Sequence, residues 1–416
     1  MQAQKLTARA ASGADIEHHF VTMCQAFHLD ETLARPIYYR DPFFDPHLKR
    51  VLVDNGKVVS VLTVIPTALR LSRGAVVPVA GIAGVGTPPN LRNVGYASIL
   101  IRKTLEVLSP ELNCPLAALV TDRPDYYRRF GFGTCSTRYY WTAPSRPFPA
   151  STKLGIELLT PAQTAAVSPA IHAVYEAATK DIPGTFIRTP QRWTAIETHT
   201  PGRRVAVWRN DDRIAGYVAF DTEPVNGQSM VSVHEIVSAC DEGRRALVSY
   251  ITSHQAGVDV RGEVSAREFD SLDLASVPGI TSEALPGVML HITDLAAVLA
   301  IVANTDGFAQ PLRESASGLT IRIDTSATKR ASHPVRLFAL KDAAGVDRVG
   351  MAPADELVDD WIAGDIESLT MLICGFMSAQ SLRANGRLRV SSSTAVALAD
   401  QLFPQTDPIL SLPDMF

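Results

Sequence analysis

The stretch that most restricts what this chain can fold into runs from Arg50 to Leu71, RVLVDNGKVVSVLTVIPTALRL. Two β-rich runs flank Asp54-Asn55-Gly56, and Asn-Gly is the strongest short hairpin signal because both residues accept the positive φ of a tight primed turn. A third β-rich run follows, VVPVAGIAGVGT at 76–87, then a Pro-Pro-Asn loop and YASILIRKTLEVL at 96–108. Ile99, Leu100, Leu105 and Leu108 fall on one helical face. PLAALV at 115–120 reads as a buried strand. Hairpin, strand, loop, helix and strand in that order predict an α+β unit.

The same order returns about 155 residues later. RVAVWRNDDRIAGYVAF at 204–220 gives strand, polar turn and strand; SMVSVHEIVSA at 229–239 gives a third strand; CDEGRRALVSYITSHQ gives a loop and a helix. The spacing predicts a duplicated fold. From about Leu290 the texture changes. HITDLAAVLAIV and SLTMLICGFMSAQSLRANGRLRV frame a strand-like LTIRID at 319–324, which predicts a third, smaller α+β domain. WTAPSRPFPAS at 141–151 reads as the first linker, and Pro286-Gly287 as the second boundary.

Composition narrows the function classes. Of 416 residues, 46% are hydrophobic, enough to fill several cores. The net charge of −4 argues against a dedicated nucleic-acid or polybasic membrane binder and leaves room for a local basic patch. The longest uncharged run, Gly74 to Leu91, is broken by glycines and prolines, so no membrane span is expected. MQAQKLTARAASGADIEHHF lacks the apolar segment of a secretory leader, which predicts a cytoplasmic protein. Cys24, Cys114, Cys135, Cys240 and Cys374 form no CxxC pair. With no HExxH or EF-hand loop, no metal site is expected.

Chemistry concentrates in AGVGTPPNLRNVGYASIL, 83–100. Arg92-Asn93-Val94-Gly95-Tyr96-Ala97 is an R-x-x-G-x-A pattern between a strand and a helix. First-turn N–H groups of a helix lack internal partners, and the dipole favours negative charge there. Gly95 and Ala97 keep that backbone approachable by a pyrophosphate, and Arg92 adds a cation. The strand end at Val85, Gly86 and Thr87 would pair its backbone with an extended ligand arm. No GKS or GKT follows, so this is not a P-loop, and no GxGxxG opens the helix. A second stretch, VTDRPDYYRRFGFGTCS at 120–136, places two tyrosines after a buried strand. Either hydroxyl is suited to protonate a leaving group. Arg128-Arg129 beside them would bind a phosphate or simply cover the surface.

Together these stretches resemble the GNAT family of acetyl-CoA-dependent N-acetyltransferases. Arg92 to Ala97 matches that family's Q/R-x-x-G-x-G/A motif. Tyr127-Arg128-Arg129-Phe130-Gly131-Phe132-Gly133 is similar to the Y-x-R-F-G-Y-G segment of the Eis (enhanced intracellular survival) aminoglycoside N-acetyltransferases. VMLHITDLAAVLA at 288–300 and GRLRV at 386–390 resemble the sterol-carrier-protein-like domain of that branch.

The resemblance implies a GNAT domain over 1–148 and a degenerate GNAT-like domain over 149–287. A sterol-carrier-protein-like domain over 288–416 would deliver the C-terminus to the active site. It implies acetyl-CoA held by Val85, Gly86, Thr87, Arg92, Asn93, Gly95, Tyr96 and Ala97, with Tyr127 rather than Tyr126 as general acid. The terminal carboxylate of Phe416 would orient the acceptor ammonium rather than act as a full base, because its reference pKa of about 3.3–3.7 is far below that of an amine. Asp30 and Glu31 lie where the family's acceptor pocket begins. The acceptor implied is an amine on a cationic small molecule, aminoglycoside- or polyamine-like, in a homo-oligomer that is hexameric by resemblance. Acetylation of a protein lysine or N-terminus, and a non-catalytic CoA- or lipid-binding regulator, are the alternatives. Cys240-Asp241-Glu242-Gly243 replaces the phosphate motif in the second repeat, and its acids would repel a pyrophosphate. One acetyl-CoA site per chain is therefore expected.

Overall fold

The computed structural model describes residues 6–144, 155–200, 202–225, 227–253, 257–315, 318–324, 334–341, 347–353, 360–406, 408–409 and 414. Most of the expected linker at 141–151 lies outside them. In chain order the strands of the first repeat are β1 (Leu6–Ala10), β2 (Lys49–Asp54), β3 (Lys57–Arg70), β4 (Val76–Gly86), β5 (Leu116–Leu119), β6 (Gly133–Thr134) and β7 (Thr137–Ala143). Next come β8 (Ile156–Leu158), β9 (Arg204–Asn210), β10 (Arg213–Val225), β11 (Gln228–Ser238), β12 (Val260–Ser265), β13 (Thr281–Pro286) and β14 (Met289–Ile292). The last five are β15 (Leu319–Ile323), β16 (Val335–Lys341), β17 (Asp347–Pro353), β18 (Trp361–Gly364) and β19 (Leu388–Val390). The helices that matter for the site are α1 (Ile16–Phe27), α2 (Glu31–Arg40), α3 (Tyr96–Leu112), α4 (Pro124–Arg128), α5 (Pro161–Thr179), α6 (Pro190–His199) and α7 (Asp241–Ser253).

The fold is mixed α+β, with three sheets, as the sequence predicts. The first sheet has the order β1-β2-β3-β4-β5-β14-β6 and the second β13-β7-β12-β11-β10-β9-β8. Both repeats run as an antiparallel meander up to one parallel pair, β4 with β5 and β11 with β12. A parallel pair needs a crossover, and α3 and α7 supply it. Asn55 and Gly56 both take positive φ, 47° and 81°, as the predicted hairpin turn requires. The third sheet, β17-β16-β15-β18-β19, belongs to the smaller domain.

The two large sheets exchange strands. Beyond β6 the chain crosses into the second sheet, where β7 lies between β13 and β12. β14 returns to the first sheet and pairs with β5 from Met289↔Leu119 to Ile292↔Leu116. Its alternating side chains serve two cores. Met289 joins Leu62, Val64, Leu100 and Leu108 under α3. Leu290 and Ile292 face the other way, into a core with Val77, Val79 and the third-domain residues Val298, Leu372 and Phe403. The first sheet is thus covered on both faces, and the third domain packs directly against it.

A second tie joins the repeats. The segment after α5 pairs with the end of β3: Arg70 N donates to Thr185 O at 2.9 Å and Ile187 N to Ala68 O at 2.9 Å. Next along this segment is Arg188, whose side chain is fully buried. Its guanidinium reaches Asp414 at 2.8 Å and Glu235 at 2.8 Å, both themselves 1% exposed. Tyr175, 3.8 Å below the guanidinium, also donates to Asp414. Arg203 adds a second contact to Glu235 at 2.7 Å. Burial opposes ionisation of Glu235, yet Arg188 and Arg203 hold its pKa down at about 2.

Removing Arg188 would leave two carboxylates buried with too little positive charge. Arg188→Met is expected to cost about 3–5 kcal/mol of stability, read as a lower midpoint of chemical denaturation. Arg188→Lys, which keeps the charge but not the fork, should fall between the two.

Candidate active site

β4 and β5 pair only from Val79↔Leu116 to Gly81↔Ala118. β5 ends at Leu119, whereas β4 continues to Gly86, so the two strands part company and the last residues of β4 have no strand neighbour on that side. A cavity of about 940 Å³ fills the opening. Ile82 to Thr87 line one wall and Leu119 to Arg123 the other; Ala26 and Phe27 of α1 and the first turn of α3 complete it. On its paired side β4 carries a bulge: Thr63 faces Ala83 but Val61 faces Gly86. Bulges bend a strand and free backbone groups from the ladder. Glycine is required at position 86 because a Cβ there would stand 2.9 Å from the Ala26 Cβ. Ser60 Oγ donates to Gly86 O at 3.0 Å and lies 2.9 Å from Thr87 Oγ1, which fixes the strand end.

The R-x-x-G-x-A segment wraps the top of the cavity. Gly95 is the N-cap of α3 with φ of 91°, a left-handed conformation that a β-carbon disfavours. It offers no side chain to the first turn, so the N–H groups of Tyr96, Ala97 and Ser98 are not capped by one. Arg92 does two things. Its guanidinium donates to Thr87 O at 3.2 Å and to Ala26 O at 2.8 Å, tying the loop to the end of α1. Its remaining N–H donors are those left for a ligand. The Tyr96 hydroxyl donates to Asp54 Oδ2 at 2.7 Å, anchoring the helix start to the predicted hairpin.

The opposite side is α4, a short helix with Pro124 in its first turn. Tyr126 and Tyr127 both line the cavity, their rings edge to face at 5.0 Å. The Tyr126 hydroxyl lies 3.4 Å from Ser98 Oγ. The Tyr127 ring stands edge-on to Phe132, and its hydroxyl has no hydrogen-bond partner among the described residues. Burial, then the neighbouring Tyr126, pushes the Tyr127 pKa up to about 12, so the hydroxyl keeps its proton at neutral pH.

The structure therefore brings Val85, Gly86, Thr87, Arg92, Asn93, Gly95, Tyr96, Ala97 and Tyr127 to one cavity. Asp30 and Glu31 are elsewhere. Asp30 caps α2 by accepting from Thr32 N and Leu33 N at 2.8 and 3.0 Å. Glu31 lines a shallow surface depression with Arg35 and Tyr39. Phe416 lies outside the described residues. Sequence reasoning did not find Ala26, Phe27, Ser98, Arg123 or Arg138, which also line the cavity. Only the small residues at 84 and 86 hinted that a helix end lies close. In the second repeat, α7 opens with Asp241 and Glu242, and a Cβ at Gly243 would meet Trp208 within 3 Å. No group of three or more His, Cys, Asp or Glu among the described residues is placed to hold a metal ion. No helix among them is long and apolar enough to cross a membrane.

Residues 7–135 match an acetyltransferase (GNAT) domain family, and residues 184–291 match a second such family. Residues 319–411 match a sterol carrier protein domain family. No curated protein matches the chain in sequence. Solved structures share the whole fold at low identity. A conserved protein of unknown function from Enterococcus faecalis V583, described as a probable N-acyltransferase, aligns with a TM-score of 0.80 at 19% identity. That alignment covers 99% of this chain and 100% of the other. A GCN5-related N-acetyltransferase from Anabaena variabilis gives 0.76 at 20%, covering 97% and 98%. Eis1 from Mycobacterium abscessus gives 0.70 at 19%, covering 99% and 100%.

The glycine at position 86 provides a test of the cleft itself. Gly86→Ala is expected to force α1 away from β4 and to lower the melting temperature by a few degrees, roughly the effect of 1–2 kcal/mol of overpacking. A melting temperature equal to wild type would mean that α1 accommodates the methyl.

Proposed function

The chain belongs to the GNAT acetyltransferases, as an N-acetyltransferase with two GNAT domains and a sterol carrier protein domain, and from that premise we propose that it moves acetyl from acetyl-CoA to an amine in the β4–β5 cavity. The observation that carries this reading is the meeting of three features there: a strand edge unpaired among the described residues, a helix start with no side-chain cap, and a tyrosine hydroxyl without a hydrogen-bond partner among those residues. The open edge of Val85 to Thr87 suits the extended pantetheine arm. The first-turn N–H groups after Gly95, with Asn93 and Arg92 beside them, suit the pyrophosphate.

The reaction is direct transfer. The amine nitrogen attacks the thioester carbon, and backbone N–H groups of β4 polarise the carbonyl oxygen. The C–S bond then breaks, and Tyr127 gives its proton to the departing sulfur. A tyrosine with pKa near 12 is a weak acid. Transfer is completed because the proton lost by the attacking nitrogen returns to the tyrosine through water. The terminal carboxylate of Phe416 would hold the incoming ammonium by charge. Asp414, two positions earlier, is held by Arg188 beside the second sheet.

The acceptor class follows the resemblance of residues 127–133 to aminoglycoside-acetylating enzymes: an amine on a cationic small molecule, aminoglycoside- or polyamine-like.

Release of CoA from acetyl-CoA with a panel of aminoglycosides, spermine and a lysine peptide tests the reading. Tyr127→Phe should lower kcat by roughly 10²–10⁴ while KM for acetyl-CoA stays within about twofold. With raised pH, kcat/KM for the amine should climb as the ammonium deprotonates, with no loss from Tyr127 until about pH 12. If acetyl-CoA binds, no amine accelerates its cleavage and Tyr127→Phe matches wild type, the protein is a CoA binder and not a catalyst.

A further inference from the structure

Apolar side chains scattered singly over a surface need no explanation, but a cluster of them does. Ten large hydrophobic side chains stand exposed among the described residues, and five of them, Phe27, Leu29, Leu33, Ile37 and Tyr39, fall between positions 27 and 39. The backbone gathers them. His28 ends α1 with a φ of 55°, and Leu29 N donates back to Cys24 O at 3.0 Å. Such a left-handed stop turns the chain sharply. Asp30 then starts α2, which packs against α1. Leu33 and Ile37 are one turn apart and share a flank of α2, whereas Arg35 and Tyr39 lie about 200° around the helix from Leu33 and Ile37. Arg35 and Tyr39 are tied to Glu17 at 2.7 and 2.8 Å. Leu33, 72% exposed, and Ile37, 49% exposed, are left uncovered.

The patch is continuous with the cavity. Phe27 is itself 47% exposed and lines the cavity beside Ala26, whose carbonyl accepts from Arg92 at 2.8 Å. An acceptor with its amine at the β4–β5 opening has an apolar path outward over Phe27 to the start of α2. The acids along that path are engaged by the protein itself. Asp30 caps α2, and Glu17 and Glu31 lie 2.7 and 4.0 Å from Arg35. Among the described residues that line the cavity, Asp122 is the only carboxylate. A polycation would carry charges that find no partner along this path. A single ammonium on an apolar body meets charge at one end and hydrocarbon at the other.

We propose that Phe27, Leu29, Leu33 and Ile37 bind the body of the acceptor, and that the acceptor is a primary amine carrying an apolar chain or ring rather than a polycation. The assignment rests on the reading of the cavity as an acetyl-transfer site and narrows the acceptor class.

A series of n-alkylamines tests it. Their basicity is nearly constant, so a trend in rate along the series reports contacts made by the chain. Initial rates of CoA release by the full chain are measured with propyl-, pentyl- and heptylamine and with spermine. For wild type, kcat/KM is expected to rise about two- to fourfold per added methylene, the scale of burying one such group, with spermine below heptylamine. Leu33→Ser combined with Ile37→Ser, both at exposed positions, should cut the rise to less than about 1.5-fold per methylene. Val76→Ser, at an exposed apolar residue where β4 begins, should keep the wild-type slope. A wild-type rate independent of chain length, or an unchanged slope in the double variant, overturns the assignment and leaves acetyl transfer standing. If the double variant keeps its slope but passes from oligomer to monomer in sedimentation velocity, the patch joins copies of this chain and the assignment is likewise overturned. If no amine accelerates cleavage of acetyl-CoA, the reading of the cavity falls and the assignment with it.

Discussion

The exchange of strands between the two large sheets is the constraint on which the rest of this structure depends. β5 is a four-residue strand flanked by β4 on one side and β14 on the other. Without β14 its outer edge would lie open. β14 comes from a point some 170 residues further along the chain. The first sheet therefore closes only once the second repeat is in place. The same short strand buries Leu290 and Ile292 in the third domain's core. One strand thus sets β5, the divergence of β4 from β5, and the seat of the third domain.

That divergence separates the two repeats chemically. Both have a meander, a bulge on the strand before the parallel pair, and a crossover helix. In the first, the small residues Ala83, Gly84 and Gly86 line the opening and a glycine without a cap begins the helix. In the second, the strand carries Glu235, which is consumed by Arg188, Arg203 and Tyr217. The helix that follows starts with two acids and a tightly packed Gly243. One repeat leaves its backbone open to an anion; the other uses the corresponding region to bind its own chain.

Much of this was legible in the sequence because it is local. The Asn55-Gly56 turn, the helical face of Ile99 to Leu108 and the R-x-x-G-x-A segment each declare themselves within a dozen residues. The return of the same order of elements announced the duplication. The parts that were not legible are pairings across long separations. VMLHI is a short apolar run, and nothing local says that it joins β5 as a strand of the first sheet. Arg188 and Asp414 are separated by more than half the chain, and neither sits in a motif. Asp30 shows the opposite difficulty. An acid near a presumed pocket has the same signature as an acid that caps a helix, and here its oxygen accepts from Thr32 N and Leu33 N.

The arginines divide by how their charge is met. Arg188 is fully buried, and carboxylates answer its charge at 2.8 Å. Such a group is stable only because its partners are present, and its cost on removal falls on folding. Arg92 gives two of its donors to carbonyls, Thr87 O and Ala26 O, and so holds a loop in place. Arg102 and Arg129 stand at the surface on aromatic supports, and neither has a carboxylate within salt-bridge distance among the described residues. Aromatic faces orient a guanidinium without neutralising it. A cation held in position but left with its charge is arranged for something that arrives from outside.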